Sequence, residues 1–377
     1  MERAARRTWL EIDLGRIKKN YTEVMSRLGA EAQAIAVVKA DAYGHGASRV
    51  AAALYERGVR RFAVADVDEA VALRESGAVP DKCEILILGY TPPALAGELA
   101  AYGLTQTLIS EDYARELYER GVMLRTQLAV DSGMHRLGIP IEDAETVKGV
   151  LQRFGARLGI SAVFTHLCCA DSEEEADCDY TKWQLCRFAS LYGSLSPYGI
   201  KEAHCLNSAG MIYHSKSTPD ALKRLVRPGI ALYGFSPRKG AEPPHGIAPA
   251  LTWKSVVAML KKVRRGESVG YGRGFVAPRD MQIAIIPVGY ADGYPRALSG
   301  RGTVLIGNRP ASVLGTVCMN QMTVDATGLD ESAIGCEVTL IGEGAASAES
   351  IADICSTISY EIVSRISESI PRFYKDD

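Results

Sequence analysis

The chain has 377 residues, 47% of them hydrophobic, and a formal net charge of −2 at pH 7. That length allows two domains and a large core, and so balanced a charge gives no reason to expect a nucleic-acid partner. No apolar run reaches the ~20 residues needed to cross a bilayer, and Arg3, Arg6 and Arg7 are not followed by an apolar core, so neither a membrane contact nor a signal peptide is expected. In chain order, Trp9 to Leu14 alternates like a strand, and Gly15 to Leu28 reads as an amphipathic helix. Strands are then predicted at Ala34–Lys39, Arg61–Ala65, Ile85–Leu88, Leu104–Ile109, Leu124–Val130, Gly159–His166, Glu202–Leu206 and Leu222–Val226. Helical stretches lie between them, among them Ala47–Arg57, Asp68–Ser76, Glu111–Glu119 and Tyr180–Leu191.

Eight strands alternating with helices read as an α/β (β/α)8 TIM barrel. A doubly wound sheet is the alternative, but no Gly-x-Gly-x-x-Gly follows the first strand. The Pro- and Gly-rich stretch Pro237 to Pro249 reads as a linker. Beyond it, Leu251–Lys262, Gln282–Val288, Thr303–Ile306 and Cys336–Ile341 are short strand-like runs, with one helix near Ser350–Ser356. The expected division is a barrel over residues 1–240 and a mostly-β domain over 241–377, with the first ten or so residues able to join the second domain.

Barrel enzymes gather their chemistry at the carboxyl ends of the strands. Lys39, Asp131, Arg136, His166, Asn207, Ser208 and Arg227 all fall at such ends. Each has a plainer reading alone: a solvated lysine, a surface arginine, a core histidine, a helix cap. Their shared rim is what favours function. Lys39 ends an apolar run and is followed by Asp41, Tyr43, Gly44 and Gly46, and partial burial there would lower the pKa of its amine. Nine cysteines without a regular framework point to reduced thiols in a cytoplasmic protein. His166, Cys168, Cys169 and Cys178 do not match a standard zinc spacing, so no metal is expected.

The run Val38-Lys39-Ala40-Asp41-Ala42-Tyr43-Gly44-His45-Gly46 resembles the pyridoxal-phosphate lysine motif of alanine racemases. Further matches extend the resemblance to about Arg372. It implies an isomerase that interconverts L- and D-alanine for peptidoglycan. Lys39 would be the Schiff-base lysine and one of two bases. By the same likeness Arg136 meets the cofactor phenolic oxygen, His166 stacks beside the ring, and Asn207 belongs to a cofactor segment. Ser208, Gly229, Ile230, Tyr43 and Tyr360 would hold the phosphate, as neutral donors suited to it. Arg227 would face the pyridine nitrogen, donating a hydrogen bond without giving up its proton, which weakens the ring as an electron sink and favours simple reprotonation.

Tyr271, in Val269-Gly270-Tyr271-Gly272-Arg273-Gly274-Phe275, resembles the second base, which in this family comes from the second domain of the other subunit of a homodimer. Met319 resembles a residue whose backbone meets the substrate carboxylate, and Tyr290 pairs with Tyr360 at the entrance. Three positions depart from the family pattern: Ala129 stands where a carbamylated lysine is usual, Thr316 where arginine is common and Asn320 where aspartate is common. Arg136 thereby loses its usual anionic partner. These departures keep open the related serine racemases of vancomycin resistance, which carry a domain of this family behind a membrane region. A non-catalytic pyridoxal-phosphate carrier barrel is disfavoured, because such proteins lack a second domain, and so are fold-related decarboxylases, whose motifs are missing.

Overall fold

A computed structural model describes residues 6–376. All eight barrel strands form within about three residues of their predicted starts: Gln33–Val37, Arg61–Val64, Glu84–Ile87, Thr105–Leu108, Arg125–Asp131, Ile160–Phe164, Glu202–His204 and Leu225–Val226. They pair in parallel, one beside the next in chain order, and Leu225–Val226 returns to pair with Gln33–Val37. At the remaining seam the Arg227 N–H donates to the Leu206 carbonyl at 2.8 Å. Several strands are buried apolar runs, such as Ile35-Ala36-Val37 and Leu86-Ile87, as suits a parallel sheet covered on both faces, while Thr105, Gln106, Thr107 and Gln127 are buried polar exceptions. Helices return between them, including Ala47–Glu56, Val67–Glu75, Glu111–Glu119, Ala144–Leu158 and Glu175–Ser194.

The second sheet has nine described strands, in the order Met259–Val263, Met281–Ile286, Met322–Asp325, Arg309–Leu314, Thr303–Ile306, Glu337–Ile341, Leu251–Val256, Thr8–Asp13 and Arg372–Lys375. The first strand of the chain therefore lies in this sheet, antiparallel to Leu251–Val256 with Leu10 opposite Trp253. The buried Trp253 indole N–H donates to Thr8 Oγ1 at 2.8 Å and pins that register. Leu251–Val256 buries every second residue, the period of a sheet with one face on the core.

Two expectations need correction. Leu251–Lys262 is not one strand: it breaks at Val257 and Ala258, where the Val257 N–H turns to Cys336 and the Ala258 N–H to Ile285. The chain changes sheet neighbour there, so one apolar run serves two pairings. The predicted helix forms as Ala348–Ile354, started by Ser347, whose hydroxyl accepts from Ser350 N at 3.1 Å. A second helix, Ser359–Ser364, follows it without a side-chain cap and carries Tyr360 to the barrel mouth. Among the described residues no helix is long and apolar enough to cross a membrane.

Candidate active site

Directly after Gln33–Val37 the backbone makes a left-handed turn. Ala40, Asp41, Ala42 and Tyr43 all have φ between 50° and 54°. For residues with a Cβ this conformation costs roughly 1–2 kcal/mol each, so the surroundings must impose it. Gly44 follows at φ 80°, and a methyl group there would sit 2.4 Å from the Val363 carbonyl oxygen, so only glycine fits. Outside bonds fasten the turn. Asp41 Oδ1 accepts from Ala47 N at 2.7 Å, and Arg372 Nε, on the last strand of the second domain, donates to the Gly44 carbonyl at 3.0 Å. The Glu69 carboxylate accepts from Ala40 N at 2.6 Å and from Ala65 N at 2.8 Å. Lys39 is thereby aimed into a cavity of about 650 Å³.

That cavity is lined by Lys39, Tyr43, Arg136, His166, Asn207, Ser208, Arg227, Gly229, Ile230 and Tyr360, together with Ala129, Leu137, Ile358 and others. Its electrostatics follow from burial. Desolvation lowers the pKa of Lys39, the nearby Arg136 charge lowers it further, and Glu69 opposes both. Burial lowers Arg227 to about 10, so it stays charged at neutral pH. Its guanidinium donates to the Thr165 carbonyl at 2.7 Å, to the His204 carbonyl at 3.0 Å and to His204 Nδ1. His204 is held far below the usual histidine range, first by burial and then by Arg227. With Nδ1 accepting, its Nε2–H donates to Gln127 Oε1 at 2.7 Å. Burial, then Arg227, Arg136 and Lys39, push His166 down to about 3, and its neutral Nδ1 accepts from Arg227 at 3.4 Å.

One wall of the cavity is a neutral cradle. Ser208 Oγ accepts from Gly229 N at 2.9 Å and from Ala231 N at 3.3 Å, which leaves its single proton to donate. Asn207 starts the short helix Ser208–Tyr213 by accepting from Gly210 N at 2.9 Å and so fixes where Ser208 stands. Burial raises the pKa of Tyr43 and Tyr360, so both hydroxyls remain protonated donors.

At the opposite wall Arg136 has no carboxylate within ion-pair distance among the described residues. Asp131, the acidic candidate nearest in sequence, spends its Oδ1 on Gly133 N at 2.9 Å and His135 N at 3.1 Å. Ala129 lines the cavity with a methyl group.

Tyr271, Tyr290 and Met319 do not line this chain's own cavity. They are exposed by 75%, 42% and 56% on the second domain. The fold nevertheless draws their segments together: Tyr290 N donates to the Cys318 carbonyl at 3.0 Å, Ala291 N to the Met319 carbonyl at 2.9 Å, and Thr316 Oγ1 to the Tyr271 carbonyl at 3.3 Å. Glu69 and His204 escaped the sequence reading. Glu69 follows the helix cap Asp66 and looks like an ordinary first-turn acid, and His204 lies inside a strand, so neither carried a signal. Cys168 and Cys169 approach each other with sulfurs 3.7 Å apart, but among the described residues no three His, Cys, Asp or Glu side chains converge on a metal position.

A parallel barrel that gathers an amine, two guanidinium groups and a cradle of hydroxyl and amide donors around one cavity at its carboxyl rim has the layout of an enzyme site suited to a small anionic ligand. Comparison with known proteins makes the class specific. The family descriptions "Alanine racemase, N-terminal domain" and "Alanine racemase, C-terminal domain" match residues 12–237 and 250–374. Alanine racemase 1 of Clostridium acetobutylicum is 39% identical over 99% of this chain and 97% of its own length. The solved alanine racemase of Clostridium difficile 630 superposes with a TM-score of 0.89 at 31% identity, covering 99% of this chain and 97% of that one. The alanine racemase of Bartonella henselae, solved with covalently bound pyridoxal phosphate, gives 0.85 at 28% identity over 98% of this chain and all of that one (100%). The chain belongs to the alanine racemase family.

Proposed function

We propose that the chain interconverts L- and D-alanine, with pyridoxal phosphate as its resident cofactor, and supplies D-alanine for peptidoglycan in the cytoplasm. The observation that carries this is the meeting of Lys39, Arg136, Arg227 and the Ser208–Gly229 cradle around one cavity. The cavity chemistry fits the cofactor. A methyl group at Gly229 would come within 2.9 Å of the Tyr43 hydroxyl, so the cradle has room there only because the residue is glycine. Its donors are uncharged amides and hydroxyls, and Lys39 is an amine whose neutral form is favoured by burial.

When bound, pyridoxal phosphate draws electrons from the Cα of an amino acid held through its nitrogen and so loosens the Cα proton. The rest falls to the chain's own side chains. Ser208, Tyr43 and Tyr360 would hold the phosphate, with the backbone of Gly229 and Ile230. Arg227 would give the ring nitrogen a hydrogen bond while keeping its own proton, which would keep electron withdrawal modest and favour return of the proton to Cα. His166 and Asn207 would flank the ring, and Arg136 would meet its phenolic oxygen and the substrate.

Racemisation needs a proton-transfer group on each face of Cα. The Lys39 amine serves one face. Tyr271 serves the other from a second copy of the chain, which accounts for its exposure on its own second domain. Met319 and Tyr290 arrive with it, the first at the substrate carboxylate and the second, beside Tyr360, at the entrance. The working unit is then a homodimer with shared sites. The test is to assay purified protein with L-alanine and L-serine side by side and to repeat it with Lys39→Ala. Alanine should be the faster substrate, and the variant should lose both turnover and borohydride-trappable cofactor. A Lys39→Ala protein that keeps both overturns the assignment.

A further inference from the structure

We propose that Glu69 is the positioning residue for Lys39: its carboxylate clamps the left-handed turn that aims the lysine and places a negative charge opposite Arg136. The proposal rests on the reading of Lys39 as the reactive amine.

The geometry is specific. Glu69 leaves the helix Val67–Glu75 and reaches across the ends of two barrel strands. Oε1 takes the N–H of Ala40, the peptide immediately after Lys39, and Oε2 takes the N–H of Ala65, just past Arg61–Val64. Both bonds have a charged acceptor, the stronger kind. The first holds the opening residue of a run of four left-handed residues that contains no glycine. Of Ala-Asp-Ala-Tyr only Asp41 tolerates that conformation, so the turn depends on such outside bonds. Strand, turn and helix are locked as one piece, and the direction of Lys39 with them.

The same carboxylate acts on the amine. Two charges bear on Lys39 with opposite sign: Arg136, from the loop after Arg125–Asp131, disfavours its protonation, and Glu69 favours it. His166, Tyr43 and Arg227 also line the cavity, the first two neutral near pH 7 and the last charged. Glu69 itself is half-buried. Burial raises its pKa and Asp66 adds to the rise, while the Ala65 and Ala40 N–H groups pull it down. Removing Glu69 leaves Arg136 unopposed.

The test uses full-length protein carrying Glu69→Gln or Glu69→Asp. Glutamine keeps the length but turns an NH2 toward one of the two backbone donors and removes the charge. In cofactor-free protein the pH dependence of Lys39 acetylation by acetic anhydride, quantified on its peptide by mass spectrometry, should move to lower pH in Glu69→Gln. The rate at which that protein captures pyridoxal phosphate should fall about tenfold, the scale of one charge-assisted hydrogen bond. Glu69→Asp keeps the charge but is too short to span both donors, so it should keep the wild-type acetylation profile and capture the cofactor slowly.

A purely structural Glu69 would lower the melting temperature and leave the acetylation profile in place; a folded Glu69→Gln protein with a wild-type profile overturns the proposal. Should Glu69→Gln not fold, a Glu69→Asp protein that captures cofactor at the wild-type rate overturns it instead. Failure of the underlying reading would show separately, as trappable cofactor in Lys39→Ala.

Discussion

Gly229 and Tyr43 should behave as one unit in cofactor binding. A methyl group at 229 would lie 2.9 Å from the Tyr43 hydroxyl oxygen, closer than such atoms pack, and 3.6 Å from Tyr43 Cζ and 3.7 Å from Val37 Cβ, which are ordinary contacts. Only the hydroxyl is in the way. It cannot retreat freely, because the buried Tyr43 ring packs 4.8 Å from Tyr233 and 6.1 Å from Tyr360. Gly229→Ala therefore overpacks the cradle, at a cost of about 1–3 kcal/mol, and displaces the phenol from the phosphate. Tyr43→Phe alone loses one hydrogen bond to a charged group, about 1.5–3 kcal/mol, or roughly 10- to 150-fold in affinity. In the double variant the clashing atom is gone, so its loss should match that of Tyr43→Phe alone, with a coupling of about 1–3 kcal/mol. Titration of pyridoxal phosphate onto cofactor-free protein, followed by absorbance and with circular dichroism to check the fold, measures all four affinities. Losses that simply add, or a Gly229→Ala protein that binds like wild type, would refute the reasoning.

Tyr271→Phe should still bind cofactor but lose about 10²–10⁴-fold in rate, more when starting from L-alanine. Mixing it with Lys39→Ala subunits should restore activity through dimers with one intact site, and verified heterodimers without activity would put the tyrosine in its own chain's cavity. With a methyl group at Ala129 the wild-type rate should be flat across bicarbonate, and Ala129→Lys should acquire bicarbonate dependence; a wild-type rate that drops on degassing and returns with bicarbonate would mean another lysine carries a carbamate. Burial holds His45 at about 4 and His166 at about 3, whereas both titrate near 6.5 when unfolded. The unfolded chain then binds more protons below about pH 6.5, so stability is full above that pH and falls as pH drops toward 4. Denaturant melts of cofactor-free protein should show this, and His45→Gln should reduce the stability lost on going from pH 7 to pH 4 by on the order of 2–3 kcal/mol; an unchanged loss counts against it.

What could be read in the sequence, and what could not, divides along physical lines. The barrel was legible because a strand buried on both faces is apolar along most of its length, as in Ile35-Ala36-Val37, Ile85-Leu86-Ile87 and Leu225-Val226, although Thr105-Gln106-Thr107 is buried and polar. The rim was legible because polar groups such as Lys39, His166 and Arg227 interrupt those runs where water or a ligand can meet them. The left-handed turn was not, because alanine and tyrosine avoid that conformation when isolated. Besides the local Asp41–Ala47 bond, it depends on partners 29 to 328 residues away in the chain, from Glu69 on Ala40 to Arg372 on Gly44. The break at Val257–Ala258 was hidden for a similar reason: the same apolar residues suit either of two sheet neighbours, and the choice is made by Cys336 and Ile285. Tyr271 is the sharpest case. Its segment was recognisable, yet one chain leaves the side chain facing solvent. Local pattern specifies the parts that a strand or helix buries by itself. The parts that line the cavity are set by contacts between elements, and the proposed role of Tyr271 needs a second copy of the chain.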